Sequence, residues 1–163
     1  MLTANEIAAE YASQNAGYVS GLTLGAITAG TSNTVLSDIV VQTDSAGYTL
    51  GINQDADLTS GIYTIPAVSG SIASPVSWTE GTTKGLGFTL TATNATALPG
   101  SWSSGNSYAA LPSTPTSFYT RTGFQGSTGD YVTMRLRADV ASTQVATSSA
   151  YSNVMTITGT ATP

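Results

Sequence analysis

The sequence predicts an all-β fold: a two-sheet antiparallel β-sandwich, immunoglobulin-like or jelly-roll, with a short N-terminal helical or extended arm. Three observations lead there. Apolar residues recur with a period of two along most of the chain, the spacing of half-buried strands. Clusters of Gly, Pro, Asn and Ser interrupt these runs at short intervals, where turns belong. Thr, Val, Ile and Tyr fill the runs, and these residues suit a pleated, half-exposed surface.

In chain order, residues 3–14 differ from the rest. Glu6 and Glu10 stand among alanines, with Ile7 and Tyr11 four apart on one helical face. This predicts residues 1–16 as an arm and 17–163 as one sandwich domain. Leu22, Leu24 and Ala26 then alternate with Thr23 and Gly25, Ile39 and Val41 flank Val40, and Tyr48, Leu50 and Ile52 alternate with Thr49 and Gly51. Leu86, Phe88, Leu90 and Ala92 face one way and Gly87, Thr89, Thr91 and Thr93 the other. The longest alternation sets Val132, Met134, Leu136, Ala138 and Val140 against Thr133, Arg135, Arg137 and Asp139, which predicts a central strand. A last strand is expected over 151–160, with Met155 and Ile157 inward, and shorter ones at 63–65, 76–79 and 117–122. Residues 95–115 hold three prolines and little periodicity, and read as a long excursion over one end of the sandwich.

Composition excludes more chemistry than it suggests. The 163 residues include no His and no Cys, 49 Ser or Thr, and 13 charged side chains. Without His the usual general base and the commonest metal ligand are missing, and without Cys there is no thiolate or disulfide. The charge of −5 and four scattered cations argue against nucleic acid and anionic lipid as partners, and no run is long enough to insert in a membrane. Charged residues are 8% of the chain against about 25% in an ordinary soluble domain, so little repulsion keeps copies apart. An enzyme is not expected, and no cofactor.

The candidate sites are few. Asn53, Asp55 and Asp57 carry oxygen ligands at alternate positions, as a calcium loop begins, but Leu58 and Thr64 break the rest of that pattern. A solvated acidic turn is the expected outcome. Trp102 and Tyr108, with Trp78, Phe118 and Tyr119, suggest an aromatic platform for a cell-surface glycan, against the alternative of core aromatics. Lys84, the only lysine, reads as a solvated turn residue. Asn94-Ala95-Thr96 is a glycosylation sequon of the kind expected by chance in a threonine-rich chain. Asp55, Asp57, Glu80 and Asp130 offer carboxylates for glycoside hydrolysis, but no spacing selects a pair. Tyr18, Leu22 and Leu24 alternate as in a first strand or a donor segment inserted into a neighbouring copy.

The runs Leu22-Thr23-Leu24-Gly25-Ala26-Ile27, Ile39-Val40-Val41-Gln42-Thr43, Gly47-Tyr48-Thr49-Leu50 and Leu58-Thr59-Ser60-Gly61, with the ending Tyr151-Ser152-Asn153-Val154-Met155-Thr156-Ile157-Thr158, resemble secreted bacterial cell-surface β-sandwich proteins. These include WxL-like, spore-coat-like and pilus-subunit-like domains. The resemblance implies an exported, non-enzymatic structural protein at the cell surface, a homo-oligomer or pilus-like filament subunit. The Trp-x-Leu element of true WxL domains is absent and no sortase-type signal follows Pro163, so covalent wall attachment is not expected. Met1-Leu2-Thr3 lack the features of an export leader, which fits either a removed leader or a virion protein. A carbohydrate-binding surface module and a virion decoration or fibre protein are the alternatives.

Overall fold

The computed structural model describes residues 21–95, 97–102, 104–124 and 129–162. The proposed arm and Tyr18 lie outside the described residues. The described chain is nearly all β, in several antiparallel sheets. The strands are β1 (Asn33–Val41), β2 (Gly47–Gln54), β3 (Leu58–Ser60), β4 (Tyr63–Ile65), β5 (Val76–Ser77), β6 (Gly85–Thr93), β7 (Ser107–Tyr108), β8 (Thr116–Thr122), β9 (Asp130–Asp139) and β10 (Met155–Thr162). A single 3₁₀ turn spans Gly100–Trp102.

Two three-stranded sheets carry the fold, in the orders β1-β9-β6 and β10-β2-β8; β3-β4 and β5-β7 are short two-stranded ladders. β9 is central as its alternation predicts: Val132, Met134, Leu136, Ala138 and Val140 are all buried. β1 runs antiparallel to it with Val35 opposite Leu136 and Ile39 opposite Val132. Tyr48, Leu50 and Ile52 of β2, with Phe118 and Tyr119 of β8, supply the apolar face of the second sheet. Both faces enter one hydrophobic cluster, in which Phe88 and Phe118 meet edge-on with ring centroids 5.9 Å apart. Burial of this cluster, at about 25 cal/mol per Å² of apolar surface, is the main term holding the sheets together.

The outer edge of β6 is covered. Backbone bonds join Leu86 to Pro66 and Val68, and Phe88 to Ala109. The close approach requires glycine, because a Cβ on Gly87 would meet the Val68 Cγ2 at 2.8 Å and one on Gly85, where φ is +109°, would meet the Pro66 carbonyl at 2.5 Å. Segments 66–78 and 106–110 therefore lie over this part of β6.

Four expectations need correction. Residues 22–26 form no strand, although Leu22 and Leu24 keep the alternation as half-buried side chains packed against the core. Ala92 is exposed, because a β-bulge between Leu90 and Ala92 shifts the register and breaks the alternation. The last strand begins at Met155 rather than at Tyr151. Asp139 is wholly buried rather than on a solvated face, because its charge is compensated by Lys84.

Candidate functional site

Among the described residues Arg137 is heavily tied, on the face of β9 opposite the core. Its guanidinium lies 4.8 Å from the Trp78 ring centroid and 5.7 Å from that of Tyr108. Its Nε donates to Ser32 Oγ at 2.7 Å, one terminal nitrogen to Asn106 Oδ1 at 3.5 Å, and the other to the Glu80 carboxylate. Glu80 accepts from Ser32 N at 2.5 Å and Ser32 Oγ at 2.8 Å. These bonds from Ser32, and then the Arg137 guanidinium, hold the Glu80 carboxyl below the usual carboxylate value. Trp78 and Tyr108 meet at 5.1 Å in an edge-on pair and, with Val68, form a second, small apolar cluster. The chemistry is that of a staple: a delocalised cation stacked on two rings, with its donors directed at oxygen atoms.

Two other ion pairs are structural as well. Lys84 Nζ lies 2.7 Å from Asp139 Oδ2, and Asp139 Oδ1 accepts from Gly30 N at 3.0 Å and Val140 N at 2.7 Å. Lys84 stands, as expected, at the turn before β6 and stays partly exposed, but its amine is paired with a buried carboxylate rather than free in solvent. Arg121 Nε reaches Asp130 Oδ2 at 2.7 Å. Burial, followed by the Asp130 charge, pushes the Tyr48 phenol well above its ordinary range, and its hydroxyl is buried with no hydrogen bond of normal geometry.

The sequence candidates fare differently. Trp102 is 1% exposed and packs on Phe88 at 5.3 Å; Tyr108 is fully buried. The candidate glycan platform thus gives way to the alternative of core aromatics: the aromatic residues divide between the main core and the small cluster under Arg137, and neither Trp102 nor Tyr108 offers a ring face to a sugar. Asp55 is exposed, but its Oδ1 accepts from Ala56 N at 2.7 Å and Val154 N at 2.8 Å, and Asp57 Oδ1 accepts from Gln54 Nε2 at 3.0 Å. Asn53 stands in β2 and is half-buried. Among the described residues no three acidic groups cluster as a metal site. Asn94 of the sequon has its side chain engaged at both ends, donating to Gly129 O at 3.2 Å and accepting from Tyr131 N at 2.7 Å.

Of the assembly candidates, Leu22 and Leu24 are half-buried against the core, and Asn33 Nδ2 donates to the carbonyls of Leu24 and Ala26 at 2.8 Å each. Sequence reasoning missed the feature next to them. β1 ends its sheet, and among the described residues no backbone hydrogen bond reaches residues 33–40 from outside it. Its outward row carries Leu36, 56% exposed, and Val40, 68% exposed, with Tyr131 of β9 beside Val40 at 39%. The signal was present in Thr34, Leu36, Asp38 and Val40, an outward row half apolar where a solvated strand face would be polar. On β10, one of the two end strands of the other sheet, the outward positions Thr156, Thr158, Thr160 and Thr162 are all threonine.

Comparison with protein-family models, curated proteins and solved structures finds no match.

Proposed function

We propose that the chain is a non-enzymatic structural protein of the cell exterior, a β-sandwich subunit that associates with copies of itself at its sheet edges. The sandwich reading is supported by the single hydrophobic cluster to which both three-stranded sheets contribute. The observation that carries the function is the character of the end strands. β1 has one charged residue, Asp38, in nine, and β10 has none in eight. End strands present unpaired amides and carbonyls, and proteins that stay monomeric usually block them with charges, proline or bulges. On β1 and β10 those devices are nearly absent, and the chain has few charges anywhere to oppose association. The cation-poor, threonine-rich surface fits exposure outside the cell as a packed, filament-like or layer-like array. Extracellular placement and a homo-oligomeric or polymeric state belong to the same reading. Negative-stain electron microscopy of the purified chain tests it: ordered polymers are the expected result, and dispersed single particles at high concentration contradict it.

A further inference from the structure

From the edge of β1 we infer that two copies of this chain pair antiparallel through that strand about a two-fold axis at Ser37, joining their β1-β9-β6 sheets into one six-stranded sheet. This rests on the self-association reading and adds to it the strand, the register and the symmetry. β1 runs from Asn33 to Val41, so Ser37 is its midpoint and only an axis there overlaps the whole strand. In that register Val35 faces Ile39 of the second copy on the inward row, and both are half-buried side chains already packed against the core. On the outward row Leu36 faces the second copy's Asp38, and Thr34 its Val40.

Charge selects the same register. Among the described residues Asp38 has no cation partner, and its Oδ1 accepts from Thr133 Oγ1 at 2.5 Å. Arg135 is the one described cation without a carboxylate, and its only recorded bond is a 3.4 Å contact with Gly105 O. Arg135 stands directly across from Leu36 on β9. Pairing about Ser37 therefore places Arg135, Leu36 and the second copy's Asp38 in one row, the two charges about 9–10 Å apart at the backbone, or two strand spacings. An extended arginine spans most of that distance and lies over Leu36, covering the apolar side chain as it meets the carboxylate. By symmetry the contact occurs twice. Moving the axis to Asp38 sets two like charges directly opposite each other, which is unfavourable. Moving it to Leu36 shortens the ladder. A slip of one residue exchanges the two faces.

The chain has no cysteine, so single cysteines report the register directly. Directly opposed residues of an antiparallel pair have Cα atoms about 4.5–5.5 Å apart, within disulfide range, whereas a residue one place from the axis is offset from its own symmetry mate by two residues along the strand, which puts the two Cα atoms beyond about 7 Å, too far to be bridged. Under mild oxidation Ser37→Cys should give a disulfide-linked dimer, while Leu36→Cys, Asp38→Cys and Thr158→Cys stay largely uncrosslinked. As a second measure, Asp38→Arg and Arg135→Asp should each abolish the dimer in sedimentation, and the double exchange should restore it. Preferential crosslinking at Leu36, Asp38 or Thr158 overturns the proposed register or edge, as does polymer formation with no Ser37 crosslink; in that last case self-association itself survives. A dimer that crosslinks at Ser37 and grows no further supports this pairing and removes the filament reading. A monomer at every concentration removes both.

Discussion

Asp139 shows how single residues are held in this fold. A fully buried carboxylate is tolerated because Lys84 and two backbone N–H groups meet its two oxygens. Lys84→Met leaves that charge without its cation. Removing one partner of a fully buried pair costs about 3–5 kcal/mol; with the Lys84 side chain 30% exposed and solvent screening the pair, about 2 kcal/mol is expected in urea unfolding. Glu80 gives the acid-side prediction. Its folded-state value lies below the ordinary 4.5, so its contribution to stability is present above that pH and is lost as pH falls toward the folded value. Glu80→Gln should flatten the acid limb of a stability–pH curve in that window. Tyr48 works in the opposite sense. Its phenol is raised, so above the ordinary value of 10.0 the unfolded chain releases a proton that the folded chain keeps, and stability falls as pH rises. Tyr48→Phe removes a buried hydroxyl that, among the described residues, lies beside Asp130 but makes no hydrogen bond of normal geometry; it should leave stability at neutral pH equal or higher and reduce the alkaline loss.

At the scale of elements, β9 and the short β5-β7 ladder make contrasting predictions. Leu136→Ala removes a buried side chain from the central strand and should cost about 2–5 kcal/mol, whereas Thr133→Ala on the opposite row should cost little. Equal effects in urea unfolding would contradict the assigned faces. Gly70 lies against β5 and β7, where an added Cβ would strike the Tyr108 carbonyl and sit 2.8 Å from Val76 N. Gly70→Ala should therefore cost about 1–3 kcal/mol, the range for overpacking, and loosen Trp78, which near-ultraviolet circular dichroism would register. The elements legible in the sequence were those whose residues alternate strictly: β2 and β9 follow from period and turns alone. The bulge at Leu90–Ala92 was not legible, because a bulge changes register without changing composition. The burial of Trp102 and Tyr108 was legible only as the alternative to a glycan platform. Their surroundings are rich in Gly, Pro and Ser and read as loop, but segments 66–78 and 106–110 fold back over β6 and enclose Tyr108, while Trp102 turns into the core against Phe88. The Arg137 staple joins Ser32, Trp78, Glu80 and Asn106, positions far apart in the chain that no local pattern connects.

For the whole molecule, a charge-poor surface and end strands β1 and β10 with a single charge between them underlie the proposed association between copies. Chelation should leave the melting temperature unchanged, since the Asp55 and Asp57 carboxylates already accept protein hydrogen bonds; a fall with EDTA reversed by calcium would contradict that. Salt offers a further check, because the Arg135–Asp38 contacts sit on an exposed sheet face, where added ions screen them while leaving apolar contacts in place. The central claim, self-association, is tested most directly by sedimentation equilibrium of the intact chain over a wide concentration series. The expected weight-average mass starts near 16.5 kDa at the lowest concentrations and climbs to at least twice that value. A mass that stays at 16.5 kDa across the series, with the chain folded throughout, would contradict it.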